Sequence, residues 1–207
     1  TLMGGLRQSH FGGNQTENAT SPRAGIAVRL PWGGVVVRGN YSRYYQAPPL
    51  VTASGPLLQF VTEQNLGLIP LQGERDEEWQ TGLTIPLRGW GLDADYFHNR
   101  VHNFFDHDVV GNSNIFFPLT IERARIRGFE ATLRSPRLWH RGQVHVAWSN
   151  QIAEGGGAVT GGLTDFSPPA SGWFLLDHDQ RTTLNAGFDF NLPHRSEERR
   201  VGKECRS

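Results

Sequence analysis

Apolar and polar residues alternate along much of this chain with a period of two. The pattern is clearest from Val35 to Pro49, VVVRGNYSRYYQAPP, where Val35, Val37, Gly39, Tyr41 and Tyr45 share one face. Val36, Arg38, Asn40, Ser42, Tyr44 and Gln46 take the other, so the stretch reads as one strand, apolar on one side and polar on the other. It runs for about twelve residues, whereas a globular strand has about five or six and a tilted strand crossing a bilayer about nine to eleven. The same division recurs in both directions along the chain. Ala24, Ile26, Val28 and Leu30 oppose Arg23, Gly25, Ala27 and Arg29; Trp79, Thr81, Leu83, Ile85 and Leu87 oppose Glu78, Gln80, Gly82 and Thr84. Leu92, Ala94 and Tyr96 oppose Asp93 and Asp95, and Phe129, Ala131 and Leu133 oppose Gly128, Glu130, Thr132 and Arg134. Val144, Val146 and Trp148 form a further apolar set, as do Leu184, Ala186, Phe188, Phe190 and Leu192. With Thr1 to Phe11, whose faces are ambiguous, this predicts about eight long strands.

The connections alternate in length. GGNQTENATS, the stretch of nearly thirty residues after Gln46, the polar segment from Asp106 to Pro118, and AEGGGAVTGGLTDFSPPASGW are long; PWGG, RGWG and SPRLWHRG are short. Tight turns at one end and extended loops at the other are the pattern of an antiparallel up-and-down transmembrane β-barrel. The short turns are then periplasmic, and the first, third, fifth and seventh strands run outward. A soluble β-sandwich would have shorter strands and no Tyr or Trp concentrated near their ends.

Composition agrees with that reading. Only 37% of the residues are hydrophobic, yet aromatics reach 11% and there are 25 glycines, which suits half-apolar strands joined by many turns. No run of eighteen apolar residues offers a transmembrane helix, and a barrel needs none. Residues 1–194 carry 15 arginines, no lysine and 17 acids, a net charge of −2. Residues 195–207, RSEERRVGKECRS, hold the sole lysine and the sole cysteine and have no apolar face. This divides the chain into a barrel body over 1–194 and a disordered, non-native tail over 195–207. The body is free of cysteine and needs no disulfide. Thr1 opens directly in strand-like sequence, which places the natural start upstream.

With these strands in view the body resembles the barrel of the TonB-dependent outer-membrane receptors. SPRAGIAV, VVRGNYSRYYQAPPL, LQGERDEEWQTGL, LDADYFHNRVHNFF, ARIRGFEATL and LLDHDQRTTLNAGFDFNLP carry the resemblance in family order. It implies residence in the bacterial outer membrane and uptake of a scarce nutrient, a ferric siderophore above all. It also implies coupling to the TonB-ExbB-ExbD complex through a plug domain that precedes the barrel. The sequence lacks a plug and has about eight of the family's twenty-two strands. The expectation is therefore a partial barrel whose activity belongs to the parent receptor, and a 207-residue polypeptide that does not insert as a closed barrel. A non-transporting barrel acting as adhesin or structural anchor is the alternative, and a barrel hydrolase a third reading.

Three groups of residues bear on chemistry. Tyr44 and Gln46 fall on the polar face near the outer mouth, while Phe104, Phe105, Phe116, Phe117 and Trp173 decorate the loops. Stacking rings with a few hydrogen-bonding groups suit a small-molecule chelate or corrinoid. Arg123, Arg125 and Arg127 share the parity of Phe129 and Leu133, which, if no bulge intervenes, points them outward just above the apolar band, either toward the phosphates of outer-membrane lipid or as a solvated loop stem. HNRVHNFFDHD clusters His98, His102, Asp106, His107 and Asp108, but His98 and His102 would lie more than about 10 Å apart on one strand, too far to share an ion. No GxSxG, HExxH or phosphate-cradling glycine motif is present, so neither catalysis, a cofactor nor a nucleic-acid partner is expected.

Overall fold

The computed structural model describes residues 1–12, 16–48, 72–109, 116–161, 172–177 and 179–191. They form one antiparallel sheet of nine strands: β1 (Leu2–Gly12), β2 (Thr16–Arg29), β3 (Val36–Gln46), β4 (Glu74–Leu87), β5 (Trp90–Val109), β6 (Phe116–Arg134), β7 (Gly142–Gly161), β8 (Trp173–Leu175) and β9 (Thr182–Phe190). Each strand pairs with its sequence neighbour from β1 to β8, and β9 pairs with β7. Among the described residues β1 and β9 do not meet, so the sheet is an open, partial barrel wall.

The cross-strand register brings the apolar sets of all strands onto one face. Val37 lies beside Leu83, Leu83 beside Ala94, Ala94 beside Ala131, Ala131 beside Trp148 and Trp148 beside Leu184. The first strand, ambiguous in isolation, is settled by its partner: Leu2, Gly4 and Leu6 oppose Ile26, Ala24 and Pro22. This face is bare. Leu2, Leu6, Ile26, Leu83, Phe129, Leu184 and Phe188 are all exposed, an apolar surface far more continuous than water-soluble monomers tolerate.

The upper limit of the apolar band crosses the sheet as a staircase. The last apolar residues before polar ones are Leu6 and Pro22 on β1 and β2, which pair with each other, then Tyr41 and Trp79, then Tyr96 and Phe129, then Trp148 and Leu184. Each pair sits one rung lower in the hydrogen-bonded ladder than the pair before, a descent of two residues for every two strands. At about 3.3 Å per residue and about 4.8 Å between strands, a band level with the membrane requires strands tilted by about 35°, the value expected of a transmembrane barrel. Trp32, Trp90 and Trp139, all exposed, mark the opposite limit, one in or beside each short turn. Those turns use left-handed residues, as tight hairpins demand: Gly33 and Gly34, Arg88 and Gly89, and Trp139 and His140 all have positive φ.

Several strands exceed their predicted limits. β2 begins at Thr16, inside the segment predicted as a loop, and β7 runs through AEGGGAVTG to Gly161. β5 continues to Val109 and β6 starts at Phe116, so Phe104 and Phe105 are strand residues, not loop residues. Backbone pairing explains the extension, because the ladder accepts glycines and polar residues that carry no face pattern. The predicted closing strand is β9, and ahead of it the short β8 begins at Trp173, at the end of a segment predicted as a loop. Between them the chain leaves the ladder, and the Asp179 carboxylate accepts the Ala153 N–H at 2.8 Å in place of a backbone carbonyl. Leu176 folds back there, its N–H donating to the Ala153 carbonyl. It closes a small core of Val101, Leu119, Ile121, Ala124 and Ala153 at the long-loop end of β5 to β7. The stretch after Gln46, residues 49–71, and the tail, residues 195–207, lie outside the described residues.

Candidate functional site

The polar face of β3 and β4 is built by register. Ser42, Tyr44 and Gln46 stand opposite Glu78, Asp76 and Glu74, and Glu78 stands opposite Asn99 on β5. Period-two spacing in ERDEE therefore places three carboxyl groups in a column beyond the apolar band, beside the tyrosine and glutamine that the sequence singles out. The Ser42 hydroxyl, buried, donates to the Tyr44 hydroxyl at 3.0 Å and holds that ring, itself half exposed, in place. Asp76 Oδ1 and Asn99 Oδ1 are buried without a hydrogen-bond partner among the described residues. Unsatisfied buried oxygens of this kind are ready acceptors for an incoming donor or cation.

Glu74 ties β5 to this column. Its carboxylate accepts the Phe105 N–H at 2.6 Å, and it is five residues beyond Trp79, outside the apolar band. Burial pushes its carboxyl up to about 7; the Phe105 N–H opposes the shift and the Asp76 charge adds to it. Burial, with the charge of Glu78, likewise raises Asp76 above the ordinary carboxylate range. Of the residues expected to touch ligand, Tyr44, Gln46 and Phe105 thus gather around Glu74 and Asp76. Of the three acids the sequence pattern placed only Glu78 on the polar face; the column's extension through Asp76 to Glu74, and its convergence with Phe105, depend on pairing between distant strands.

The others lie elsewhere. Phe104 packs against the small core. Trp173 is in β8 on the apolar parity, with the Arg125 guanidinium 4.1 Å and that of Arg123 5.6 Å from its ring centroid. Phe116 and Phe117 open β6. The predicted arginine triad does share the face of Phe129 and Leu133, because the single register shift between β6 and β7 falls between Ile121 and Arg123, outside the triad. Arg125 is bound to Glu154 at 2.7 Å, Arg127 approaches the same carboxylate at 3.6 Å, and Arg123 is 3.7 Å from Glu122. His98 and His102 lie on this face as well, His98 receiving the Arg100 Nε–H at 3.3 Å. Among the described residues no three His, Cys, Asp or Glu side chains converge as metal ligands.

Toward the short turns the polar face carries a separate network. Arg38 bridges Asp95 at 2.7 Å and Asp93 at 3.3 Å, and Arg134 reaches Asp93 from β6 at 3.3 Å. Thr84 also donates to Asp93 at 2.7 Å. This ties β3, β4, β5 and β6 together across the polar face.

A sheet apolar on one side, polar on the other and tilted to the slope of its own band defines the wall of a membrane barrel. The family model described as "TonB dependent receptor-like, beta-barrel" matches residues 1–197, and the chain belongs to that family. Its members are outer-membrane receptors and transporters of bacteria. Among curated proteins none matches the chain.

Proposed function

We propose that these residues form part of the wall of a bacterial outer-membrane receptor that imports a scarce nutrient by TonB-coupled transport, with a ferric siderophore as the favoured cargo and no enzymatic step. The observation that carries this reading is the acidic column of Glu74, Asp76 and Glu78 beside Tyr44, Gln46 and Phe105, on the polar face beyond the apolar band. A ring, amide groups and under-satisfied oxygens can hold a chelate through its periphery. The column also narrows the cargo. The acidic column, with Glu74 only partly ionised near neutral pH, disfavours a polyanionic catecholate complex and accommodates an uncharged or cationic chelate, such as a ferric hydroxamate. Release inward then requires energy from the TonB-ExbB-ExbD complex, delivered through the plug domain of the receptor.

The test is uptake of radiolabelled iron as an uncharged ferric hydroxamate by cells whose sole hydroxamate receptor carries these residues. Expected are energy-dependent uptake that a proton uncoupler abolishes and a Tyr44→Ala, Asp76→Ala double variant binding about tenfold more weakly, the equivalent of about 1.4 kcal/mol. Uptake that persists without energy, or no uptake of any ferric chelate by a receptor present in the outer membrane, would overturn the reading.

A further inference from the structure

On the polar face, the outermost rung that β2 and β3 share pairs Arg23 with Ser42, and the row continues from Ser42 to Glu78 and from Glu78 to Asn99. One row thus carries a guanidinium at one end and a carboxylate two strands away, a separation of about 10 Å at the usual strand spacing. Two residues farther out, Arg7 pairs with Ser21 on the basic side, and Asp76 stands beyond Glu78 on the acidic side. Ser21 and Ser42, both buried, lie between the opposite charges, and their side chains are too short to bridge them.

Neither set of charges is neutralised within the sheet. Among the described residues Arg7 and Arg23, both exposed, take part in no hydrogen bond or ion pair. Glu17, the one acid on β1 or β2, is taken at the mouth by Arg75 at 2.8 Å and by the Gly73 N–H at 2.8 Å. Toward the short turns, Asp93 and Asp95 are held by Arg38 and Arg134. On the other side, Asp76 Oδ1 and Asn99 Oδ1 are buried without a partner. Gly5 shapes the basic side: a Cβ there would lie 2.7 Å from Arg23 Nε, so glycine lets the Arg23 side chain lie across β1, two residues from Arg7.

We propose that this face binds a zwitterionic chelate, its carboxylate held by Arg7 and Arg23 and its amine by Asp76, Glu78 and the Asn99 side-chain oxygen. Charge complementarity selects each end. Guanidinium forks take the two oxygens of a carboxylate, and an ammonium brings three N–H donors to the unsatisfied acceptors. The body of the chelate then lies over Ser42 beside Tyr44, whose hydroxyl accepts the Ser42 hydrogen at 3.0 Å and keeps its own for a chelate oxygen. A chelate with both charges at one end meets only one of the two sets. The inference rests on the cargo reading above and deepens it: the cargo is neutral in sum and carries opposite charges at separate ends.

The experiment measures, by quenching of intrinsic fluorescence, how the full receptor in mild detergent binds four ferric trihydroxamates of one linear backbone. One ends in an amine and a carboxylate, one has the amine acetylated, one has the carboxylate amidated, and one has both ends capped. The unaltered receptor binds the zwitterion at least about tenfold more tightly than either singly capped form, since each cap forfeits charge-assisted hydrogen bonds. The variants cross: R7Q/R23Q ignores amidation but still responds to acetylation, and D76N/E78Q does the reverse. Equal affinity for all four chelates in the unaltered receptor overturns the inference without recourse to any variant and leaves the cargo reading standing. A response to one end alone overturns it as well. So does an R7Q/R23Q receptor that keeps the heat-dependent gel shift of a folded barrel and still tells carboxylate from amide as the parent does. Capture of none of the four sinks the inference, and takes the cargo reading with it if no other ferric chelate is imported.

Discussion

Glu74 shows how one side chain can link burial to pH. Its carboxyl is raised from an ordinary 4.5 to about 7, so the folded state holds the proton more tightly than the unfolded state. The stabilisation from the protonated form is complete below about pH 4.5 and is lost as pH rises through about 7. Glu74→Gln keeps an oxygen for the Phe105 N–H but removes the charge. Exchange of the Phe105 amide in the parent should quicken from pH 5 to 8 beyond its intrinsic rate, and in the variant that excess over the intrinsic rate should disappear. An unaltered pH profile would show that Glu74 does not govern this junction. Gly128 makes the complementary point about space. A Cβ there would lie 2.5 Å from the Asn150 carbonyl oxygen and 2.9 Å from Gln151 Cα, both backbone atoms. Gly128→Ala should therefore force β6 and β7 apart and cost about 1 to 3 kcal/mol, read as a lower midpoint of the heat-dependent gel shift. Sequence alone showed Tyr44 and Gln46 on the polar face, because alternation is a local property. It did not show Glu74 meeting Phe105, since the residues are joined only once β4 and β5 have chosen their register.

At the level of strands the same contrast holds. The middle of each strand was legible from side-chain parity, and the short turns from their glycines and prolines. The ends were not, because segments such as Thr16–Ser21 and Gly155–Gly161 pair through backbone groups that every sequence carries. Nor was the irregularity on β7, where the register with β6 shifts by one, Gly157 adopts φ 87° and Glu122 accepts the Ala158 N–H at 2.9 Å. The break between β8 and β9 has a specific cause: Asp179 supplies the acceptor that the ladder lacks opposite Ala153. Asp179→Ala should orphan this buried N–H and speed its hydrogen exchange by about tenfold or more, while Asp179→Asn, which retains an acceptor oxygen, leaves it close to the parent. Equal exchange in both variants would mean that the segment from Leu176 to Arg181 is held by something other than that bond.

Over the whole sheet, the apolar band and the hydrogen-bonded ladder are two independent records of one tilt. The ladder comes from backbone pairing and the band from side chains, yet the band descends one rung per strand pair from Leu6 to Leu184 without a break. A sandwich has no reason to arrange its polar boundary along such a slope, whereas a membrane imposes it on any tilted strand. The same membrane penalises open edges, since each backbone N–H or C=O left unpaired in hydrocarbon costs several kcal/mol. Along β1 and β9, where the described sheet stops, alternate backbone groups point away from any partner. A polypeptide restricted to these 207 residues should accordingly fail to give a protease-resistant, heat-modifiable band after refolding into detergent, and should aggregate through its edges in water. The full receptor, with both edges paired, should give that band. If the restricted polypeptide yields it too, β1 and β9 must find partners, in each other or in a second copy, and concentration dependence of the band would tell these two closures apart.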